Sequence, residues 1–251
     1  DYLWVLYKDS KKIKKNIIKF IIGLADKGII LSSVLKRNLQ PFLSDEKIYE
    51  LPNFISNSLL EHDIEKTISN QKDQKLKILF LSNLIKEKGI IDFLEAMLIL
   101  ENKNIDFEVH IAGDIPAFME KEIQKYFEKL NSILHYHGVV KGKQKKDLLL
   151  SSHIFVFPTL QEAQGIVLLE AMATANIILS THVGGISDIF KTNKNGFTID
   201  THNPKQIADK ISKIQSERIS YNKMLIENYF EVKKKYTEKI FFGNLYKILM
   251  D

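Results

Sequence analysis

From residue 76 onward, short apolar runs alternate with segments of helical spacing. The runs are near-continuous, as is typical of strands buried on both faces: KILFLSN, FEVHIAG, ILHYHGVV, HIFVFPT and NIILSTHVG. The segments between them have the spacing of helices: IIDFLEAMLILEN, FMEKEIQKYFEKL, KKDLLLSS and GIVLLEAMATA. This alternation predicts an α/β fold with a doubly wound parallel sheet and right-handed crossovers.

The two ends of the chain have other patterns. The first 55 residues predict a helix over 11–27, a strand over 28–33 and a second helix over 34–43. This single β-α unit is too small to form a sheet alone. The passage LSDEKIYELPNFISNSLLEHD, which contains Pro52, indicates a linker between domains. Residues 204–251 are predicted to be mostly helical.

Composition and charge narrow the range of partners. The chain has 251 residues, of which 45% are hydrophobic and 27% charged, as in ordinary globular proteins. Its net charge of +5 comes almost wholly from lysine, because Arg37 and Arg218 are the only arginines. Proteins that bind nucleic acid lean heavily on arginine, so we expect no nucleic acid partner. Anionic small molecules or an anionic membrane surface are the expected partners.

Cysteine, targeting and membrane signals bear on location. The chain contains no cysteine, which excludes disulfides and thiolate chemistry and is compatible with a cytoplasmic protein. No apolar run reaches the length of about 18 residues that a membrane span needs, and the start lacks the order of a signal peptide. A soluble or peripheral protein is therefore expected. The first residue is Asp1 rather than methionine, which suggests a fragment or a processed chain.

The stretch QEAQGIVLLEAMATAN carries two glutamates eight positions apart. Glu162 falls in the loop after the strand HIFVFPT, where ligands of parallel sheets bind, and the next helix is predicted to begin near Gly165. The first amides of that helix would be free to hold phosphate. A solvated loop glutamate or helix cap is the alternative for Glu162, and a polar helix face is the alternative for Glu170. The apolar neighbours of Glu170 favour a functional role.

The glutamate pair, followed by A-M-A, resembles the E-x7-E pattern of the retaining glycosyltransferases of family 4, which have the two-domain GT-B fold of Rossmann-like sheets. Further segments resemble that family in order and approximate spacing: ADKGIILSS, ELPN, SNLIKEKG, HIAGD, HGVV, FVFPT, THVGGISDI and KNGF. Ordered multiple matches are much rarer by chance than a single motif. The resemblance covers nearly the whole chain.

The resemblance implies a donor site for a nucleotide-diphosphate sugar. Glu162 inherits the catalytic position beside the transferred sugar, and Glu170 the position that binds the ribose hydroxyls. The amides of Gly165, Ile166 and Val167 would hold the diphosphate, and Lys88 would neutralise it. Three loop residues, Asn83, Gly113 and Val139, are further donor-binding positions. Gly184 and Gly185 could let the backbone approach the donor or could simply form a turn.

The chain departs from the family pattern in several places. Asn83 stands where the family usually has an arginine, so donor affinity or turnover is expected to be lower. Gln164 replaces a usual Phe, Ala175 a usual Gly and Asp188 a usual Glu. Most of the N-terminal domain is missing, including its glycine-rich loop and a histidine. The chain alone is therefore expected to catalyse sugar transfer inefficiently, and a longer native protein is expected.

By this resemblance the chain divides into three parts. Residues 1–55 are a remnant of the acceptor-side domain with the linker, residues 56–225 the donor-binding domain, and residues 226–251 a helix returning toward the N-terminal domain. Ile13, Ile17, Phe20, Ile21 and Leu24 form one face of the first helix, with lysines opposite. This pattern suits an anionic membrane surface, or a helix that covers the N-terminal sheet.

We expect neither cofactor nor metal. The sequence has no Asp-x-Asp, its seven histidines are scattered, and His135 and His137 alternate along a strand as structural residues often do. The predicted function is retaining transfer of a sugar from a nucleotide-diphosphate sugar to a hydroxyl of a glycan or lipid-linked acceptor, in surface polysaccharide assembly. A nucleotide-sugar epimerase and a non-catalytic nucleotide-binding homologue are the alternatives.

Overall fold

The computed structural model describes residues 2–72, 74–103 and 105–250. Its strands, in chain order, are β1 (Gly28–Ile30), β2 (Ile48–Glu50), β3 (Leu76–Leu81), β4 (Phe107–Ala112), β5 (Leu134–Tyr136), β6 (Ile154–Phe157), β7 (Ile177–Ser180) and β8 (Gly196–Thr198). Its α-helices are α1 (Tyr2–Asp9), α2 (Lys12–Gly23), α3 (Lys36–Leu39), α4 (Ile64–Gln71), α5 (Ile90–Glu101), α6 (Ala117–Lys129), α7 (Gly142–Ser151), α8 (Ile166–Met172), α9 (Ile186–Ile189), α10 (Pro204–Glu217), α11 (Asn222–Lys235) and α12 (Glu238–Met250).

Strands β3 to β8 form one sheet in the order β5-β4-β3-β6-β7-β8, and every neighbouring pair is parallel. Each strand is joined to the next by a helix, which confirms the predicted doubly wound α/β fold. The chain moves outward from β3 through β4 to β5 and then crosses back to β6. This reversal between β3 and β6 is the switch point, where the carboxyl ends of the two strands leave a crevice for ligands.

Both faces of the sheet are buried because side chains alternate along each strand. On β3, Ile78 and Phe80 join one apolar cluster with residues of α5, α6 and α10, whereas Leu79 and Leu81 join a second cluster with α7 and α8. Such two-sided burial explains the continuous apolar runs in the sequence.

The N-terminal part contains more sheet than the sequence indicates. β1 pairs in parallel with β2, which lies inside the stretch interpreted as linker. The linker interpretation was wrong for Ile48–Glu50. A strand of three residues that pairs with one neighbouring strand has too short an apolar pattern to be recognised in the sequence. The predicted helix over 11–27 ends at Gly23, and the predicted second helix is reduced to Lys36–Leu39.

Two other predicted elements differ in extent. The strand expected over ILHYHGVV is limited to Leu134–Tyr136, and β8 was not predicted. Both are the edge strands of the sheet, where pairing on one side only gives short strands with a weak apolar signal. Within the described ranges, no helix combines the length and apolarity needed to cross a membrane.

The last two helices contact the linker and the N-terminal part. Ile55 donates its amide to the Tyr236 carbonyl at 3.0 Å, and the ring of Phe54 packs 4.8 Å from that of Phe241. The Lys27 ammonium donates to the Ile248 carbonyl on α12. The division of the chain into three domains stays a prediction.

Candidate active site

The loops after β3 and β6 meet at the switch point. Leu160 donates its amide to the Glu87 carbonyl at 2.8 Å, and the Thr159 hydroxyl donates to the same carbonyl at 3.1 Å. Gly89 has a φ of +73°, and a Cβ there would lie 2.0 Å from the Pro158 carbonyl oxygen. Only glycine permits this approach. Gly89, which follows Lys88, therefore allows the loop after β3 to pack against the loop after β6.

This packing brings Lys88 to Glu162. The Lys88 ammonium lies 2.9 Å from Glu162 Oε2, with only 24% and 16% of the two side chains exposed. Glu162 Oε1 accepts the amide of Ala163 at 2.9 Å. A half-buried ion pair fixed by a backbone amide is thus held beside the crevice between β3 and β6. Two of the predicted site residues, 74 positions apart in the chain, are in direct contact.

Helix α8 begins where the sequence predicted. Gly165 is its N-cap with a φ of 81°, and Ile166 and Val167 follow in the first turn. The side chain of Ile166 is 38% exposed, so this turn reaches the surface. First-turn amides have no acceptor within their own helix and carry the positive end of its dipole. The turn starts three residues after Glu162 and presents amide donors to the same crevice.

Glu170 is buried on α8 but has a partner that the sequence did not reveal. The Lys145 ammonium on α7 lies 2.7 Å from Glu170 Oε1 and 2.5 Å from Oε2. Burial raises the pKa of Glu170, and Lys145 only partly offsets that effect. The glutamate is therefore an ion-paired carboxylate in an apolar setting. The run KGKQKKD places several lysines at the start of α7, and nothing in it singles out Lys145.

Residues 61–231 match the model of the family described as Glycosyl transferases group 1. The chain belongs to this family. Over 197 residues it is 30% identical to an uncharacterized glycosyltransferase of Methanocaldococcus jannaschii, a match that covers 75% of the chain and 49% of that protein. The phosphatidylinositol N-acetylglucosaminyltransferase gpi3 subunit of Schizosaccharomyces pombe is 25% identical over 92% of the chain and 50% of its own length. The chain spans about half the length of these two curated relatives.

A solved structure agrees with the family. The crystal structure of Anabaena HepE in complex with UDP superimposes on this chain with a TM-score of 0.82. The match covers 97% of this chain and 69% of that one at 14% identity. At this identity the likeness shows the fold, which is that of the GT-B glycosyltransferases.

In this glycosyl transferases group 1 chain, Gly113 joins three loops at the carboxyl ends of neighbouring strands. Its amide donates to the Gly138 carbonyl at 2.8 Å. Its φ is 147°, and a Cβ would lie 1.8 Å from the Ser82 carbonyl oxygen. Asn83 and Val139, the residues after Ser82 and Gly138, are both exposed. The three predicted donor-binding loop positions thus lie on one connected set of loops.

The Gly184–Gly185 turn packs against the Glu162 loop. The Gly185 amide donates to the Glu162 carbonyl at 3.0 Å. A Cβ at Gly184 would lie 1.9 Å from that carbonyl oxygen, and one at Gly185 would lie 1.8 Å from the Ala163 carbonyl oxygen. Of the two interpretations left open by the sequence, the turn is therefore supported, and its glycines allow backbone to approach backbone.

Two departures from the family pattern contact the N-terminal part. Asp188 accepts the amide of Ser33 at 2.6 Å and its hydroxyl at 2.9 Å. Gln164 Oε1 accepts the amide of Asn53 in the linker at 2.9 Å. Ser32 completes this junction by donating its hydroxyl to the Ala163 carbonyl at 2.9 Å. Sequence reasoning missed these contacts because they join segments more than 100 residues apart.

The histidines are not all scattered, and this prediction was wrong. The parallel register of β4 and β5 places His110 opposite His135, and His137 Nε2 lies 2.9 Å from His110 Nδ1. Only the pairing of the two strands could reveal this. The absence of a metal from the donor chemistry stays a prediction.

Proposed function

We propose that this chain supplies the nucleotide-sugar donor half of a retaining glycosyltransferase of family 4. The enzyme moves a sugar from a nucleotide diphosphate to an acceptor hydroxyl in the assembly of a surface polysaccharide such as lipopolysaccharide or capsule. The observation that carries the proposal is the Lys88–Glu162 pair, 2.9 Å apart at the switch point of a parallel sheet. Family membership and the fold shared with a UDP-bound protein support it.

The local charges suit a diphosphate leaving group. When the bond from the anomeric carbon to the diphosphate oxygen breaks, negative charge grows on the phosphates. Lys88 and the first-turn amides of α8 offer positive charge and donors at the crevice that would stabilise it. The acceptor hydroxyl attacks the face that the diphosphate leaves, and its proton passes to the leaving phosphate oxygen. In this proposal Lys88 exchanges the Glu162 carboxylate for the diphosphate as the donor binds.

Glu170 provides the selectivity for a nucleotide. Its carboxylate can accept hydrogen bonds from both hydroxyls of a ribose, and a buried carboxylate discriminates strongly against ligands that lack them. The contact with Lys145 is the interaction that a ribose has to displace or share. Asn83 brings no charge to its loop, so we expect donor affinity to depend mainly on Lys88 and α8.

The acceptor side of the proposal includes contact with an anionic membrane at its cytoplasmic face. The apolar face of α2 is open, since Ile13, Phe20 and Leu24 are 79%, 69% and 67% exposed. Lysines on the opposite face would lie near lipid phosphates. A lipid-linked acceptor would then be close to the donor site. Co-sedimentation should show binding to anionic vesicles, and equal binding to uncharged vesicles would contradict the charge-based contact.

Calorimetric titration with UDP, GDP and ADP, with and without Mg²⁺, tests the donor site. We expect one of the three to bind whether or not Mg²⁺ is present. Lys88→Met should weaken that binding about 10- to 100-fold, the effect of losing a hydrogen bond to a charged group worth about 1.5–3 kcal/mol. Lys86→Met is the matched control, because Lys86 lies in the same turn but pairs with Glu122 on the surface.

Three results would contradict the proposal. Binding that is unchanged in Lys88→Met would place the diphosphate elsewhere. No binding of any nucleotide to the folded chain would favour a degenerate, non-catalytic homologue that lacks a donor site. If a nucleotide sugar binds and is isomerised without an acceptor, the epimerase alternative replaces sugar transfer.

A further inference from the structure

Four side chains with metal-binding chemistry lie together at the β5 edge of the sheet. His110 on β4 is in register with His135 on β5. Glu108 precedes His110 by two positions and His137 follows His135 by two, so alternation along the strands places all four on one face. We call Glu108, His110, His135 and His137 the histidine cluster. β3 lies between β4 and β6, which separates this cluster from the Lys88–Glu162 pair.

The spacing inside the histidine cluster suits a small cation. Glu108, His110 and His135 each offer one ligand atom, and these three atoms lie within 4.8 Å of one another. His110 Nε2 is 3.4 Å from Glu108 Oε2. Two atoms bound to Zn²⁺ at about 2.0–2.1 Å and at the tetrahedral angle are about 3.4 Å apart. The Glu108–His110 pair therefore already has the separation of two zinc ligands. His135, whose ring centroid lies 4.9 Å from that of His110, is near enough to be the third.

The hydrogen bonding of His110 also favours a bound cation. His110 Nδ1 lies 2.9 Å from His137 Nε2, a normal hydrogen-bond distance. If His110 donates there, its Nε2 lone pair faces the Glu108 carboxylate, and a cation between the two relieves their repulsion. The opposite tautomer would donate Nε2–H to Glu108, but hydrogen bonds to carboxylates are usually about 2.7–2.9 Å long, shorter than this contact. A metal-bound histidine typically donates its other N–H to such an outer partner.

We propose that Glu108, His110 and His135 bind a divalent transition-metal ion, with His137 as the hydrogen-bond partner that orients His110. Two imidazoles and one carboxylate are an established ligand set for Zn²⁺, in which water completes the tetrahedron. Access exists, because a groove lined by His110, His137, Lys143, Gln144 and Asp147 opens beside α7. Asp147 is not counted as a ligand, since it pairs with Lys143 at 2.5 Å.

The proposed ion has a structural role. It cross-links β4 to β5, an edge strand of only three residues. His137 is followed by Gly138, whose carbonyl accepts the Gly113 amide at 2.8 Å. Binding at the histidine cluster therefore stabilises the loops that follow both strands without contacting the Lys88–Glu162 pair. These loops carry Gly113 and Val139, two of the predicted donor-binding positions, but the ion needs no nucleotide in order to bind. The site can therefore be tested separately from the proposed function.

Titration of the untagged, chelator-stripped chain with ZnCl₂, followed by calorimetry, tests the site. We expect one equivalent to bind, and Co²⁺ to give the strong visible absorption of a four-coordinate ion. His137→Asn should weaken Zn²⁺ about 10- to 100-fold, the usual effect of removing an outer-shell partner, and His135→Asn should weaken it at least as much. His202→Asn is the control, because His202 is exposed with a φ of 56°, which asparagine tolerates.

Absence of saturable one-to-one binding would overturn the proposal, as would equal Zn²⁺ affinity in His135→Asn and His202→Asn. His135 is exposed, so its variant is expected to fold, and thermal unfolding without metal checks this. If it does not fold, Glu108→Gln gives the same test through a half-buried ligand, with unchanged affinity overturning the proposal. Since no nucleotide is present, failure here would leave the donor-site proposal intact.

Discussion

At the scale of single residues, Glu170 shows how burial and function oppose each other. Its side chain is only 10% exposed, and that of its ammonium partner Lys145 is 27% exposed. Desolvation outweighs this pairing, because the pKa of Glu170 is raised. A raised folded-state pKa means that the associated stability is present at low pH and lost as the pH rises through that pKa. The ionised form of Glu170 therefore contributes less to the stability of the fold than the protonated form does.

The raised pKa of Glu170 leads to a prediction about stability. Glu170→Gln should raise the free energy of unfolding at pH 7 by up to about 1 kcal/mol, because Lys145 can turn toward water. Lys145→Met should lower it by about 2 kcal/mol, since it leaves a buried carboxylate without its partner. Urea denaturation of the two variants measures both changes. A loss of stability in Glu170→Gln would show that the ion pair is a net stabilising contact.

Nucleotide titration of the same variants separates stability from function. Glu170→Gln should lose nucleotide affinity although it is more stable. Glu227→Gln is a suitable control, because Glu227 is an exposed glutamate of α11 that pairs with Lys223. Equal nucleotide affinity in both variants would remove Glu170 from the ribose site.

At the scale of elements, close backbone packing sets the shape of the crevice. A Cβ at Gly185 would lie 1.8 Å from the Ala163 carbonyl oxygen and 2.6 Å from the Ser32 hydroxyl. The φ of Gly185 is −71°, so the conflict is purely steric. We expect Gly185→Ala to lower the free energy of unfolding by about 1–3 kcal/mol and to displace the Glu162 loop.

The matched control, Gly243→Ala, should change the free energy of unfolding in the opposite direction. Gly243 lies inside α12 with nothing near the position of a new Cβ. Gly243→Ala should therefore raise the free energy of unfolding by about 0.5–1 kcal/mol through helix propensity. Thermal and urea unfolding of both variants make the comparison. Equal stability of Gly185→Ala and the parent chain would mean that the turn is not tightly packed.

The stability of the contact between α11 and the loop that precedes β8 should depend on pH. Burial by itself would raise the pKa of Glu231, but hydrogen bonds from Lys194, Lys235 and Asn195 lower it to about 2 from its ordinary 4.5. Because the folded-state pKa is depressed, the associated stability is present above pH 4.5 and lost as the pH falls toward 2. The two lysines are each 53% exposed, so solvent screening reduces the effect.

We therefore expect the parent chain to lose about 1–2 kcal/mol more than Glu231→Gln between pH 6 and pH 3. Urea denaturation across this range measures the difference. Glu227→Gln again serves as the control on the same helix and should follow the parent chain. Parallel pH profiles for the parent and Glu231→Gln would show that these hydrogen bonds contribute nothing.

At the scale of the whole molecule, the two-stranded β1–β2 unit is attached to the six-stranded sheet of β3 to β8 by a small polar junction. Asp188 accepts two hydrogen bonds from Ser33, and Gln164 accepts one from Asn53. Gln164 lies two residues after Glu162, and Asp188 lies three residues after Gly185. The junction therefore adjoins the crevice. Movement of the β1–β2 unit would therefore reach the loop that carries Glu162.

Removing Asp188 should loosen this unit. In Asp188→Ala we expect the amides of Gly28–Glu50 to exchange at least about tenfold faster, the effect of losing about 1.4 kcal/mol of hydrogen bonding to a charged group. Hydrogen exchange followed by mass spectrometry measures this. Asp209→Ala is the control, because Asp209 forms an exposed pair with Lys103 on a different surface. Unchanged exchange would show that the unit is held by other contacts.

The sequence by itself determined the doubly wound sheet, since strands buried on both faces require continuous apolar runs and crossover helices require a helical period. It also placed Glu162 in a loop and Gly165 at a helix start, because strand ends and glycine caps are local features. Only the tertiary structure decided that Lys88 contacts Glu162, that Lys145 pairs with Glu170 and that His110 meets His135. Those contacts depend on strand order and register, which no local pattern encodes.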